Sequence, residues 1–371
     1  MTKANVQNWK QLVVLLLTLL AAIGFMFISV YQSEATAAWR PLPVFLTSYR
    51  NKTDLTHQKK SVELKILWYK IPPYLMPHVN FFKTKPCDCS CSISTNVRDL
   101  AKSDVVIFTQ YFLPAVPPKK EKHHVWCFNT MENRALTAKP GPLWKDKFQW
   151  IMSYRRSSDI FRPYGIIKKR GKKIERNYAE VFSKKNKVGV WMSGHCPVPS
   201  RRKSYVQELK RFMEVDMYGT CGTRICKTKS PFVGECIRNF SRDYKFYFSF
   251  ENNICEDYTT EKLFNFFSHE NLNIVPVVNG PATASEYLPK GAFINALEFP
   301  SPKELARRLN EIGSNENMYT QFLKEKDKFY SLTEIEIFRE TMCNICKKIE
   351  KGGRKIPNRA DFWNDHFKNK C

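Results

Sequence analysis

Short, uninterrupted apolar segments alternate with amphipathic ones along most of this chain, and this alternation restricts its fold more than any other feature. The apolar segments are 65–69, 104–108, 125–128, 188–192, 215–218, 244–250 and 274–278. Continuous apolar strands of this kind belong to parallel sheets that are covered on both faces. Between them, residues such as Tyr205, Leu209 and Phe212 recur at helical spacing. We therefore predict an α/β protein built from two domains.

The length and composition of the chain fit this division. Of its 371 residues, 43% are hydrophobic and 14% aromatic, which excludes a mainly disordered protein. We predict a first domain over residues 63–180, a second over 181–346 and a basic tail over 347–371. Ligands of such folds bind beyond the carboxyl ends of the strands, often between two domains.

Residues 12–30 form an uncharged apolar run that has about the length needed to span a bilayer. Two lysines precede the run, so the positive-inside rule keeps residues 1–11 in the cytosol and sends the remainder across the membrane. A cleaved signal peptide is the alternative, because residues 35–37 (ATA) offer a cleavage site. The apolar run is longer than such a peptide needs, and we predict an uncleaved anchor followed by a polar stem over 31–62.

The chain carries 60 Lys and Arg residues against 35 Asp and Glu residues, a net charge of +25. An excess this large indicates an anionic partner, such as nucleic acid, a phosphorylated ligand, an acidic glycan or a membrane. Lumenal placement removes nucleic acid from this set. The same placement fits two sequons for N-glycosylation, at Asn51 and Asn239. We interpret the basic run at 168–176 as a solvent-exposed loop.

Five of the twelve cysteines have a spacing that permits either a zinc site or disulfides. They are Cys87, Cys89, Cys91, Cys343 and Cys346. In an oxidising lumen, disulfides are favoured over zinc. The sequence contains no Asp-x-Asp motif, so nothing in it requires a divalent metal ion.

The densest polar and aromatic stretch is YKFYFSFENNICEDYTTEK, residues 244–262. An apolar strand leads here into Asn252, and a loop leads on to a predicted helix. The unpaired N–H groups and the dipole of a helix N-terminus bind anions. In its first turn Lys262 would add charge to a bound phosphate, while Glu261 and Asn252 are placed to hold sugar hydroxyls. A capped helix with solvated charges is the alternative.

This stretch resembles the signature of the animal α1,3-fucosyltransferases, a YKF-x-x-x-FEN segment followed by DY-x-TEK. Here it stands as residues 244–246, 250–252 and 257–262. Further stretches resemble the family's blocks in the same order, namely 148–165 (SYRxDSDIFxPYG), 202–219 (VDxYG), 275–280 (VPVVxG) and 300–306 (SPxxLAxYL). The short tail, single anchor and stem are also typical of Golgi glycosyltransferases.

The resemblance implies the GT-B arrangement, in which two Rossmann-like domains face a cleft. The C-terminal domain would bind GDP-fucose and the N-terminal domain the acceptor glycan. The enzyme would place L-fucose on O3 of an N-acetylglucosamine with inversion, as a single-pass type II Golgi membrane protein with a lumenal catalytic domain. Two alternatives remain: a membrane-anchored binder of acidic glycans, or a transferase that uses another nucleotide sugar. The choice between core and antennal acceptors stays open.

The resemblance also assigns roles to residues. The family's base is a glutamate in an N-x-ESP segment, and Glu132 occupies that place, although Asn133 and Arg134 follow it instead of Ser-Pro. Arg202 matches a phosphate-contacting arginine, with Arg201 as its rival if the alignment slips by one residue. The other positions that match contacts to the nucleotide sugar are Asn252, Tyr258, Glu261 and Lys262.

Two further expectations follow from the resemblance. Arginine and lysine together would neutralise the departing diphosphate, so we expect no required metal cofactor, while stimulation by a divalent cation such as Mn²⁺ remains compatible. The related enzymes tie the start of the catalytic region to a C-terminal Cys-x-x-Cys. We therefore expect Cys343 and Cys346 to pair with two of the three early cysteines.

Overall fold

The computed structural model describes residues 63–137, 139–226, 235–353 and 371. All of them belong to the compact unit Lys60–Cys371. The predicted anchor, the stem and the sequon at Asn51 lie outside the described residues. Within the part that is described, no helix is both long and apolar enough to cross a membrane.

The first half of the described chain forms a six-stranded parallel sheet. Its strands are β1 (Leu64–Tyr69), β2 (Cys91–Ser94), β3 (Val105–Thr109), β4 (Val125–Asn129), β5 (Trp150–Ser153) and β6 (Ile160–Phe161). They lie in the order β2-β1-β3-β4-β5-β6. The strands β3 and β4 are buried along their whole length, as their continuous apolar sequences predict.

A short antiparallel pair and a second parallel sheet follow. The strand β7 (Ile167–Lys169) pairs with β13 (Phe329–Ser331). The second sheet comprises β8 (Lys187–Met192), β9 (Val215–Tyr218), β10 (Tyr244–Ser249), β11 (Val275–Val278) and β12 (Ile294–Asn295). Its order is β12-β11-β10-β8-β9, with every pair parallel. Two parallel sheets in succession confirm the predicted α/β class.

Eight α-helices are described. They are α1 (Met76–Thr84), α2 (Tyr178–Ser183), α3 (Arg202–Leu209), α4 (Glu235–Asp243), α5 (Glu261–Ser268), α6 (Pro302–Ser314), α7 (Glu316–Lys326) and α8 (Glu334–Glu350). The helix α6 is capped by Ser301, whose hydroxyl accepts the N–H of Glu304. The helix α3 is shorter than predicted and ends before Phe212, which lies in the following turn.

The helix α8 returns from the second half of the chain to the first sheet. Its residues Phe338, Met342 and Ile345 lie in the core of that sheet. The Phe338 ring stacks on Trp68, with 5.5 Å between their centroids. The sequence placed residues up to 346 in the second domain, and the structure differs here. The first sheet offers an apolar face that α1 alone is too short to cover, and α8 buries it.

Two disulfides fasten α8 to the first half. Cys87 pairs with Cys343, and Cys91 pairs with Cys346. Cys89 keeps a free thiol, so the structure selects the two partners that the sequence left open. Three further disulfides among the described residues join Cys196 to Cys221, Cys226 to Cys236 and Cys255 to Cys371.

Candidate active site

Glu132 lies just beyond the carboxyl end of β4, on a loop held by threonine hydroxyls. The Glu132 N–H donates to Oγ1 of Thr130, and Oγ1 of Thr137 donates to the Glu132 carbonyl. The half-buried side chain faces the second half of the chain, where the hydroxyl of Tyr258 donates to Oε2 over 3.4 Å. Burial raises the pKa of the Glu132 carboxyl above its usual range, although the positive charge of Lys262 opposes this. A carboxylate with a raised pKa is suited to act as a general base.

Asn133 connects this loop to the second half. Its side-chain N–H donates to Oδ1 of Asn252 over 2.9 Å, and its own Oδ1 accepts the side-chain N–H of Asn253 over 3.2 Å. Asn133 is fully buried. Where the family pattern has serine after the glutamate, this chain therefore has an amide that pairs with two amides across the junction.

Arg202 is the first residue of α3 and is 4% exposed. Its two terminal nitrogens donate to the Phe250 carbonyl, the Ser193 hydroxyl and the His195 carbonyl, over 2.7 to 3.2 Å. Among the described residues its Nε has no partner. Burial lowers the pKa of the guanidinium, and the nearby Glu251 carboxylate opposes this. The buried guanidinium therefore places a positive charge beside the segment that follows β10, where an anionic ligand would be favoured.

Arg201, the alternative from the sequence, is differently placed. It precedes α3 with a left-handed φ of 50°, and its side chain is exposed. The guanidinium that is buried against the segment after β10 is therefore that of Arg202.

Glu251 organises the start of α5. It is 2% exposed and follows β10. Its Oε1 accepts the backbone N–H and the hydroxyl of Thr260, the N-cap residue of α5, both over 2.8 Å. Its Oε2 lies 3.3 Å from Nζ of Lys262. Sequence reasoning missed Glu251, because nothing in the signature shows that this carboxylate is buried.

Lys262 projects from the first turn of α5. Its Nζ lies 3.0 Å from Oε1 of Glu261 and donates to the Thr260 hydroxyl over 2.8 Å. Burial lowers the pKa of the ammonium, but Glu251 and Glu261 outweigh this effect and raise the pKa overall. The guanidinium of Arg202 acts on the same ammonium in the lowering direction, so the two cations lie within electrostatic reach.

Tyr258 is packed between the two halves. It is 2% exposed, and its ring meets Tyr154 and Tyr164 edge to face, at centroid distances of 4.9 and 6.3 Å. The Tyr164 hydroxyl donates in turn to the carbonyl of Met131, next to Glu132. The structure thus brings the predicted site residues into one region where the halves meet. They are Glu132, Arg202, Asn252, Tyr258, Glu261 and Lys262.

Three other expectations from the sequence concern metal binding, glycosylation and the basic loop. In the described ranges no group of three or more His, Cys, Asp or Glu side chains is arranged to hold a metal ion. The sequon at Asn239 lies within α4, where the Ser241 hydroxyl is buried and accepts the N–H of Asn273 over 2.6 Å. The basic loop 168–176 has exposed lysines, but its two arginines form ion pairs with Glu270 and Asp327.

Comparison with protein families gives a match in each half. The model described as "Fucosyltransferase, N-terminal" matches residues 60–165. The model described as "Glycosyltransferase family 10 (fucosyltransferase) C-term" matches residues 182–362. The first match contains the first sheet, and the second contains the second sheet together with α8.

Individual relatives agree with the family models. The chain is 29% identical to alpha-(1,3)-fucosyltransferase C of Drosophila melanogaster, covering 68% of this chain and 61% of that one. It is 30% identical to glycoprotein 3-alpha-L-fucosyltransferase A of the same species, covering 66% and 49%. It is also 30% identical to alpha-(1,3)-fucosyltransferase 7 of Homo sapiens, covering 70% and 72%. The chain therefore spans about half to two thirds of the length of the Drosophila relatives.

Solved structures match the fold. A crystal structure of an α1,3-fucosyltransferase with GDP gives a TM-score of 0.52 at 14% identity, covering 81% of this chain and 94% of that one. A structure of an α1,3-fucosyltransferase with GDP-fucose gives 0.50 at 16% identity, covering 79% and 94%. At these identities the likeness establishes the fold, and it confirms the expected GT-B-like pair of α/β units.

Proposed function

This chain is a member of glycosyltransferase family 10, the fucosyltransferases, and on that basis we propose that it transfers L-fucose from GDP-fucose to O3 of an N-acetylglucosamine in glycoprotein glycans. One observation carries this proposal. Glu132 from the first half meets Tyr258 from the second, beside the charged start of α5. A base and two cations on opposite sides of one junction are what a single displacement at a sugar phosphate needs.

Glu132 acts as the general base in this scheme. Its carboxylate takes the proton of the acceptor O3 hydroxyl as that oxygen attacks C1 of fucose from the side opposite the diphosphate. The bond between C1 and the phosphate oxygen breaks, and GDP leaves with the electron pair. Attack from the opposite side inverts the configuration at C1. The raised pKa of Glu132 favours proton uptake, because a base is most effective when its pKa lies near the working pH.

The second half binds the donor in the same scheme. Arg202 supplies the positive charge of its buried guanidinium to the diphosphate, and Lys262 adds its charge at the N-terminus of α5. Asn252, Tyr258 and Glu261 contact the nucleotide sugar. Because these cations neutralise the leaving group, the scheme requires no metal ion, and a divalent cation such as Mn²⁺ would act only as a stimulant.

The test is a transfer assay on the chain from Lys60 onward, with the full chain alongside. Each is incubated with GDP-fucose and a panel of core and antennal N-glycan acceptors, with and without EDTA, and products are identified by mass spectrometry. We expect one added fucose on O3 of an N-acetylglucosamine, retained in EDTA. Parallel incubations with UDP- and CMP-sugars test donor choice, since release of UDP or CMP instead of GDP would contradict the proposal. Glycan binding without any turnover would show a binder of acidic glycans instead.

We further propose that the protein is a type II Golgi membrane protein anchored by residues 12–30, with residues 1–11 in the cytosol and 31–62 as a stem. Five disulfides among the described residues support an oxidising compartment. In this arrangement residues 63–180, covered by α8, bind the acceptor glycan, and residues 181–333 bind GDP-fucose. Protease treatment of sealed Golgi vesicles should leave the catalytic part intact until detergent is added, and digestion without detergent would contradict the orientation.

A further inference from the structure

Two consecutive arginines after β5 reach two consecutive acids before α5. Nη2 of Arg155 lies 3.2 Å from Oε2 of Glu256, and Nε of Arg156 lies 2.8 Å from Oδ1 of Asp257. The arginines belong to the first half of the chain and the acids to the second. These two crossing pairs therefore connect the loop after β5 to the segment that leads into α5.

Arg156 holds the Asp257 carboxylate through both of its oxygens. The backbone N–H of Arg156 donates to Oδ2 over 3.0 Å, while its Nε donates to Oδ1. The Asp257 side chain is 5% exposed, so few other donors can reach it. The Arg156 guanidinium also lies 5.1 Å from the Tyr287 ring centroid, and the Tyr287 hydroxyl is 2.8 Å from that of Thr259. Arg156 thus holds the segment directly at Asp257, and through Tyr287 it also acts on Thr259.

Asp257 makes the turn that sets the direction of this segment. Its φ is +59°, in the left-handed region that Asp and Asn tolerate better than other residues with a side chain. The next residue is Tyr258, whose hydroxyl meets Glu132, and Thr260 then caps the helix that carries Lys262. A change in the turn would displace both groups, because no flexible linker separates them from Asp257.

We propose that Arg156 and Asp257 are positioning residues. Through their paired hydrogen bonds, the first half fixes where the second half presents Tyr258 and the start of α5. The exposed contact from Arg156 to Glu286 adds little, since pairs of exposed charges are weak. The buried contact to Asp257 carries the effect. The kinetic part of this inference rests on the proposed function.

The test compares Arg156→Ala, Arg156→Lys, Asp257→Asn and the double variant Arg156→Ala/Asp257→Asn in the full chain. Asp257→Asn removes the charge but keeps a residue that tolerates the left-handed turn. With Arg156→Ala we expect kcat/KM for GDP-fucose to fall about tenfold or more, as small misplacements of reacting groups do, and the Kd of GDP to rise. The KM for the acceptor should stay within twofold. Arg156→Lys should recover part of the loss, and the double variant should be no worse than the more damaged single variant.

Arg307→Ala is the matched control, because it removes an exposed pair with Glu304 within α6. A second readout does not depend on transfer: hydrogen exchange of the amides at 257–262 should accelerate in Arg156→Ala and stay unchanged in Arg307→Ala. If the wild-type protein transfers no fucose, the proposed function fails and the exchange measurement still decides the positioning role. Unchanged exchange and GDP affinity would overturn the inference. So would a loss of activity that a lower melting temperature fully accounts for. If Arg156→Ala does not fold, Arg156→Lys and Asp257→Asn carry the test.

Discussion

One glutamate in each half of the molecule lies near the junction, and the two are held in opposite ways. In the first half, the described residues give the carboxylate of Glu132 one long hydrogen bond, and the side chain is half-buried. In the second half, Glu251 is buried and accepts from Thr260 and Lys262 at distances near 3 Å. A group that must gain and lose a proton is loosely bound, whereas a group that orders a helix start is fully bonded. Replacing the first should therefore affect chemistry, and replacing the second should affect stability.

Glu132→Gln gives the largest expected effect and tests the first side of this contrast. Loss of a general base lowers kcat by about 10²- to 10⁴-fold. The donor-side groups are untouched, so the Kd of GDP should stay within about twofold and the melting temperature should not change. Steady-state kinetics, calorimetric titration with GDP and thermal unfolding check these outcomes. Equal losses of GDP binding and of turnover would show that Glu132 is part of the donor site and not the base.

Cys343→Ser tests how far the first half depends on the end of the chain. The disulfide to Cys87 closes a sequence separation of 256 residues, and losing such a bond costs about 2–5 kcal/mol of unfolding free energy. We expect secretion of folded enzyme to collapse. Cys89→Ser is the control, because Cys89 is a free thiol, and its yield should match wild type. Normal yield and activity of Cys343→Ser would contradict the pairing.

Glu251→Gln tests the second side of the contrast. Removing the charge opposite Lys262 in a buried site should lower the free energy of unfolding by roughly 3 kcal/mol, because the partners are left incompletely paired. GDP affinity should fall with it, since the start of α5 loses its order. Glu304→Gln is the control, because its pair with Arg307 is exposed. Urea unfolding gives the free energy of unfolding of both variants. If Glu251→Gln is as stable as Glu304→Gln, Thr260 alone caps α5.

The smallest expected effect is a shift in pH dependence. Glu132 must be deprotonated to act, so the acid limb of kcat/KM should lie above the ordinary glutamate pKa of about 4.3, because burial raises the pKa of Glu132. Tyr258→Phe removes a hydrogen bond that lowers this pKa, so the limb should move further up. Tyr205→Phe is the control, because among the described residues its hydroxyl has no partner. A downward move in Tyr258→Phe would contradict the assignment of the limb to Glu132.

The sequence predicts most strands and the neighbourhood of the site for one physical reason. Glu132, Asn252 and Lys262 follow apolar strands closely, and parallel strands deliver their carboxyl ends to one edge of a sheet. It does not predict features that depend on distant contacts. The choice between Arg201 and Arg202 requires knowing which side chain is buried, and in the structure Arg202 is buried while Arg201 is exposed.

The sequence also does not predict that α8 packs on the first sheet. The amphipathic pattern of that helix shows that one face is buried, but not which sheet buries it. The crossing pairs of Arg155 and Arg156 are a similar case. Adjacent charges in a loop usually indicate a solvated surface, and only the folded chain shows that they meet acids from the other half.

The position of α8 has a consequence for how the protein is made. Phe338 completes a core that begins with Trp68, so part of one apolar face of the first sheet stays exposed until α8 has been translated. The usual order of biosynthesis, in which an N-terminal domain matures before the next is complete, does not apply here. The first half is synthesised first, but it completes its folding last. A nascent chain arrested before α8 would expose hydrophobic surface of the first sheet to chaperones. The helices that cover the second sheet would already have been synthesised at that point.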